Sequence, residues 1–333
     1  MIKSILDLTP QIENLRDKGV VRGDNTGFKC LDELYSVKQG SFTFFYAEPT
    51  HGKSEMIFEM CMNQRDKRTL VCSPETGSLI EIVAELIHKY TGKRIFKSDG
   101  DYGLSDKEFY NAIAALNNQF IVLDTDERTY SIPQLFEYAD KWEKENLGLK
   151  INIIVGEPYN ELDHSEMGVK FGARQDLYIE DLISIVRRLC RQKNRHFMLS
   201  IHPSGSAIPV TKGGITYYPK PLPRQAAGGQ ALFRKSMTWI TLWRPPMGLN
   251  DDTGFEHRDN ELHVFIDKAK PKGVSFKGKC KLYFDWKLNR YYEEIDGNHC
   301  YAYDHEKQDK VSISPTHNIT PNMNFYETEK APF

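Results

Sequence analysis

Between residues 26 and 295 the chain alternates short apolar runs with segments whose apolar residues recur at helical spacing. SFTFFYA (41–47), RTLVCSP (68–74), QFIVLD (119–124), INIIVGE (151–157), HFMLSIH (196–202) and TWITLWR (238–244) predict strands. The central ones are nearly continuous in apolar character, as strands buried on both sheet faces must be. Segments 53–64, 77–90, 105–117, 131–145 and 175–194, lying between them, predict helices. This alternation specifies an α/β fold, a mostly parallel twisted sheet flanked by helices. ELHVFID (261–267) and CKLYFDW (280–286) flank a turn-rich loop and predict an antiparallel hairpin at the sheet edge.

The two ends read differently. In residues 1–25, Ile5, Leu6, Leu8, Ile12 and Leu15 mark one short amphipathic helix, stopped by Lys18 and Gly19. A helix that small is no domain and must pack on something else. From 296 to 333 the chain is rich in Asn, Thr, Pro and His, which predicts an extended, flexible tail. The expected organisation is therefore a helical arm (1–25), one domain (26–295) and a tail (296–333). No repeat at a period of 20 to 50 residues points to a solenoid or propeller.

Composition narrows the class without naming a function. Apolar residues make up 40% and charged residues 27%, as in a globular protein. No apolar run approaches the ~18 residues that span a bilayer, and the amino terminus is charged throughout, so no membrane partner and a cytoplasmic location are expected. The six cysteines are dispersed without a C-x-x-C pair, which argues for reduced thiols rather than a cysteine-held zinc. A net charge of −2 gives no bulk attraction for nucleic acid and leaves room only for a local basic surface.

The chemistry concentrates in Ala47-Glu48-Pro49-Thr50-His51-Gly52-Lys53-Ser54-Glu55, at a predicted strand-to-helix junction. A phosphate-binding loop needs backbone N–H groups turned to a shared anion cavity, a lysine for the β/γ phosphates and a hydroxyl for Mg²⁺. Gly52, Lys53 and Ser54 meet those needs; Ala47 stands where the usual pattern has its first glycine. The bland alternative is a Gly-Lys turn that caps a helix. Glu75 ends the next strand, which would lie beside the loop, and can orient a water at the γ-phosphate or merely cap a helix. Glu157 ends a third apolar strand, where a nucleotide hydrolase positions Mg²⁺, usually with Asp. His202 ends a fourth and can sense the γ-phosphate, or serve only as a hydrogen-bonded residue.

In order, DKGVVRGDNTGFKCLDELYSVKQG, AEPTHGKSE, VCSPE, EPYNELDH, SIHP, GGQALFRKSMTWITLWR and HVFIDKAKPKG resemble the RecA-fold replicative helicases of the DnaB type, most closely the Twinkle-like branch, from about residue 8 to 293. The resemblance implies a RecA-like P-loop ATPase core, usually a six-subunit homo-oligomeric ring around single-stranded DNA, that hydrolyses ATP or another NTP with Mg²⁺ and unwinds duplex 5′ to 3′. Lys53, Ser54, Glu75, Glu157 and His202 take the roles above, Arg244 joins the nucleotide contacts, and Lys268 and Lys270 fall where such proteins donate a Lys-x-Arg pair into the neighbouring subunit's site. Lys270 replaces a planar arginine fork by a point charge, which predicts slower hydrolysis unless Lys272 or Arg244 substitutes.

DNA contacts are expected from loops 163–176 and 203–229, through Lys170, Arg174, Lys212, Lys220, Arg224 and Gly228, with Tyr217 and Tyr218 available to stack bases. The arm would dock on an adjacent subunit, either another protein would prime or the chain would not be a stand-alone replicative helicase, and the tail, ending Glu327 to Phe333, offers a docking segment for a primase or polymerase. Two other classes compete. One is a RecA-fold DNA-binding or scaffold protein that uses ATP as an assembly switch, and the other is a RecA-type ATPase that does not bind DNA.

Overall fold

The computed structural model describes residues 2–302, except 173, 206, 207 and 252. The tail segment from 303 onward, with its expected docking peptide, lies outside the described residues. Nine helices are described: α1 Thr9–Lys18, α2 Lys29–Asp32, α3 Lys53–Asn63, α4 Leu79–Thr91, α5 Asp106–Gln119, α6 Ile132–Glu145, α7 Glu166–Phe171, α8 Gln175–Lys193 and α9 Gln230–Lys235. The strands are β1 Phe42–Tyr46, β2 Thr69–Cys72, β3 Phe120–Val122, β4 Ile153–Gly156, β5 His196–Ile201, β6 Val210–Lys212, β7 Ile215–Tyr217, β8 Thr238–Trp243, β9 Glu261–Lys268, β10 Gly278–Asp285, β11 Arg290–Ile295 and β12 Asn298–Tyr301.

Ten of these strands form one sheet in the order β12-β11-β10-β9-β8-β1-β5-β4-β2-β3. From β8 to β3 the pairings are parallel; from β8 to β12 they are antiparallel. The parallel half is apolar on both faces because both are covered. Phe45, Val71, Val155 and Met198 face a core that contains Met56, Ile57 and Met60 of α3 and Ile82 and Leu86 of α4. Phe44, Tyr46, Ile154 and Phe197 face Leu135 and Phe136 of α6 and Ile179 and Ile183 of α8. Ser78 and Ser105 start α4 and α5 with capping boxes to Glu81 and Glu108, so sequence signals fix both entrances.

Three features depart from the sequence reading. The expected edge hairpin is part of a longer antiparallel meander, because CKLYFDWKLNRYYEE turns on itself at residues 286–289 to make β10 and β11. The sheet also continues past residue 295 into β12. And β2 is not beside β1: β5 and β4 intervene, since the crossovers return the chain to the centre of the sheet only later. Glu75 therefore does not lie on the strand next to the phosphate loop.

The TG-x-x-x-LD stretch is a local clamp. Asp32 accepts from the Thr26 backbone N–H at 2.5 Å and from its hydroxyl at 2.7 Å, and Glu293 of β11 accepts from the Lys29 and Cys30 N–H groups that open α2. By contrast α1 buries no residue: Ile12 is 49% and Leu15 52% exposed.

Candidate active site

The loop after β1 turns through left-handed Thr50 (φ 65°) and Gly52 (φ 79°) before α3 begins at Lys53. Gly52 is required twice. Its φ favours glycine, and a Cβ there would collide with the Tyr291 hydroxyl, which donates to the Gly52 carbonyl at 3.3 Å. Lys53 is nearly buried, and its Nζ donates to the carbonyls of Ala47 and Glu48, each at 3.1 Å, and to His202 Nδ1 at 3.0 Å. Burial pulls its pKa down to about 8, against the opposing charges of Glu75, Glu157 and Glu48.

An ammonium has no lone pair, so His202 Nδ1 must accept, and the ring proton then sits on Nε2. That Nε2 donates to Glu75 Oε2 at 2.9 Å. His202 thus links the phosphate-loop lysine to a carboxylate from a non-adjacent strand. His51 is half-buried in the loop; burial, then Arg244 and Lys53, lower its pKa to about 4, and its Nδ1 accepts from the Arg244 N–H.

Glu157 is 1% exposed, and its Oε1 accepts from Ser73 at 2.7 Å and Thr76 at 3.3 Å. Burial raises its pKa to about 7, against the hydroxyls of Ser73, Ser54 and Thr76. Its other oxygen is buried without a hydrogen-bond partner. An orphaned carboxylate oxygen beside the Ser54 hydroxyl fits a hard, oxygen-seeking cation such as Mg²⁺.

Lys53, Ser54, Glu75, Thr76 and His202 line one cavity of about 460 Å³, with Arg244, Asn260, Phe284, Trp286, Asn289 and Tyr291 on its far wall. Glu157 stands directly behind that lining, bonded to Thr76. The Arg244 guanidinium lies 4.9 Å above the Trp286 ring. Beneath α3 runs a buried ion network. Lys89 is fully buried, 2.8 Å from Glu55 and 3.5 Å from Glu59, and Glu59 also accepts from Arg290 at 3.1 Å. Glu55 of the predicted loop thus answers to Lys89.

The remaining expected residues scatter. Lys268 Nζ donates to the Phe233 and Arg234 carbonyls, each at 2.6 Å, and Lys270 is exposed; neither lines the cavity. Lys170 pairs with Glu166 and Arg174 bidentately with Asp176, all on the surface. Lys212 is exposed on the β6–β7 hairpin, and Arg224 is exposed beyond it. Lys220 is bound to Asp267 at 2.7 Å with its Nζ 4.0 Å over the Phe265 ring, so its charge is already used inside the fold. Gly228 has a packing reason of its own, because a Cβ there would meet Ile179 and Leu232 at 2.8 Å.

Residues 203–226 leave and return at one point. Ser204 donates to the Gln225 carbonyl at 2.7 Å, and Ala227 donates to the His202 carbonyl at 2.8 Å. Sequence reading missed Ser73, Thr76, Tyr291 and Trp286. Ser73 and Thr76 flank Glu75 and were open to inspection, whereas Tyr291 reaches Gly52 only through tertiary folding.

No family model matches the chain. It is 28% identical over 210 residues to the Twinkle homolog protein, chloroplastic/mitochondrial, of Arabidopsis thaliana, a match that covers 60% of this chain and only 28% of that protein. The ATPase domain of G40P superposes with a TM-score of 0.69 at 17% identity, over 87% of this chain and 99% of that domain. A DnaB-like replicative helicase, solved with regard to its interactions with primase, gives a TM-score of 0.65 at 18% identity, over 87% of this chain and 67% of that one. The chain therefore has the fold of the ATPase domains of DnaB-like replicative helicases, and in sequence it is similar to a Twinkle homolog, of which it spans less than a third.

Proposed function

We propose that this chain is the motor of a ring-shaped helicase that hydrolyses ATP and translocates on single-stranded DNA. The observation that carries the reading is the convergence of Lys53, Ser54, Glu75 and His202 on one cavity, with Glu157 bonded to Thr76 behind its lining, all drawn from the ends of four parallel strands. Open α/β sheets bind ligands at such strand ends.

Lys53 holds the β/γ phosphates, and the N–H groups at the start of α3 face them. Glu75 orients the attacking water, and His202, bonded to both Lys53 and Glu75, reports whether the phosphate is in place. Ser54 and Glu157 would hold Mg²⁺, which neutralises phosphate charge when bound. Arg244 and Trp286 offer a flat wall for the base. Lys270 would act across a subunit boundary, while Lys268 braces α9. Residues 1–25 would dock on the neighbour, whose surface would cover the exposed Ile12 and Leu15. The surface loops after β4 and β5, with Lys170, Arg174, Lys212 and Arg224, would track the DNA backbone.

Steady-state ATP hydrolysis with and without single-stranded DNA, on protein of recorded solution mass, tests the reading. Strong stimulation in a ring-sized assembly supports a translocating motor; DNA-independent turnover by a monomer overturns it. A second reading, an ATP-gated DNA clamp with little turnover, is favoured by Glu157, a buried acid whose raised pKa of about 7 weakens its grip on a cation near neutrality, and by Lys270 in place of arginine. DNA binding without turnover would select it.

A further inference from the structure

Outside the nucleotide cavity, three ligand-type side chains converge where β9 begins. We propose that His257, Glu261 and His263 bind a transition-metal dication of the zinc class. Glu261 and His263 are two apart on one strand and so share a face, and His257 comes from the segment that precedes it. His257 Nδ1 lies 2.8 Å from Glu261 Oε1 and His263 Nε2 lies 2.5 Å from the same oxygen; the three donor atoms all fall within 4.8 Å of one another.

The hydrogen bonding is crowded in a way that a metal would relieve. Besides the two rings, Lys281 Nζ approaches Glu261 Oε1 at 3.1 Å, so three donors meet one oxygen that offers two lone pairs. A single dication would bind both nitrogens and the carboxylate together, each ring staying neutral with its proton moved to its other nitrogen, Nε2 of His257 and Nδ1 of His263. Two imidazoles and a carboxylate suit zinc, cobalt and related ions, with one position left for water. They suit Mg²⁺ poorly, since it seeks oxygen.

The surroundings support retention of such an ion. Glu261 is 3% and His257 6% exposed, and the Trp243 ring lies 5.4 Å from His263 and 6.3 Å from His257. An apolar wall of that kind strengthens metal–ligand charge attraction. Of the three, His257 lines a second cavity of about 460 Å³, with Met247, Glu256, Arg258, Asp259, Asn260 and Trp286 around it. Arg258 is drawn off by Glu294, and the Lys281 side chain is 40% exposed, so it can leave for solvent when a cation arrives. Asn260 and Trp286 also line the nucleotide cavity, so an ion here would fix a wall the two cavities share.

The test is Co²⁺ titration of the chelator-stripped full chain without nucleotide, followed by visible absorption and zinc competition. The expected result is one saturable Co²⁺ per chain, displaced by zinc, without the thiolate charge-transfer band that Cys30 and Cys280 would give. His257→Ala and His263→Gln should abolish uptake, and Glu145→Gln, a surface change on α6, should leave it unchanged. Lys281→Met removes a competing cation and should tighten binding about tenfold or more. That variant decides the matter if the histidine variants fail to fold. No saturable uptake, uptake untouched by the histidine changes, or a Lys281→Met variant that binds no tighter would overturn the proposal and leave Glu261 as a buried carboxylate held by two ring N–H groups.

Discussion

His202 holds Lys53 at 3.0 Å through one ring nitrogen and Glu75 at 2.9 Å through the other. With the acceptor nitrogen fixed by the ammonium, the imidazole is a one-way relay. His202→Ala should therefore lower kcat by roughly 10²–10³-fold, in the range of lost acid–base positioning, while the affinity for ATP changes much less. Equal losses in both would reduce His202 to a strut for Lys53. Glu75→Gln should stop turnover and leave binding intact.

Gly52→Ala should weaken nucleotide binding by at least about tenfold and cost roughly 1–3 kcal/mol of stability, from the left-handed backbone and the displaced Tyr291. Adding Tyr291→Ala removes the collision but not the strain. Equilibrium unfolding of the single and double variants separates the two costs. Full rescue by the second change would show that the φ of Gly52 is immaterial.

The pH profile of ATP binding to the free protein should be a narrow bell. Glu157 must ionise to hold a cation, so binding rises as pH passes about 7, and Lys53 must stay charged to hold phosphate, so binding falls above about 8. Glu157→Gln should erase the lower limb. Stability has its own sign: the folded pKa of Glu157 lies above its ordinary 4.5, so between 4.5 and about 7 the unfolded chain gives up this proton first. Relative to Glu157→Gln, the wild type should lose on the order of 1–3 kcal/mol as pH rises through that window, read by denaturant titration.

Lys89→Met should destabilise the fold by about 3–5 kcal/mol, because it strips Glu55 of its buried cation and leaves Glu59 to Arg290 alone. A loss below about 1 kcal/mol in chemical unfolding would show that the network is solvated.

Lys212→Ala and Arg224→Ala should weaken binding to single-stranded DNA, and each should make its salt slope shallower by about 0.7, the share of one neutralised phosphate, with little effect on stability. Lys220→Ala should act the other way, on stability through Asp267, with an unchanged slope.

Much of this was legible in the chain. The apolar runs placed all six parallel strands, and helical spacing the five helices between them, within a few residues, because two-faced burial and one-sided amphipathicity leave local marks. Glu75, Glu157 and His202 stood out because each ends a strand run, and Lys53 and Ser54 because they open a helix after one; the fold brings all five together at one cavity. The order of the strands was not legible, since sheet position depends on crossovers that carry no local signature. Hence Glu75 was expected beside the loop and instead reaches it through His202. Tyr291 and Lys89 were invisible for the same reason: the groups they bind lie thirty or more residues away along the chain. Lys220 looked like any surface cation until Asp267 came beside it.

The excursion from 203 to 226 closes on the carbonyl of His202, so the hairpin it carries is tied to the residue whose ring bonds Lys53 and Glu75. A ligand on the hairpin and a phosphate beside Lys53, if coupled, would be coupled through this one residue. By thermodynamic reciprocity each changes the other's affinity by the same factor. Measured from either end, the lever has a single mechanical advantage.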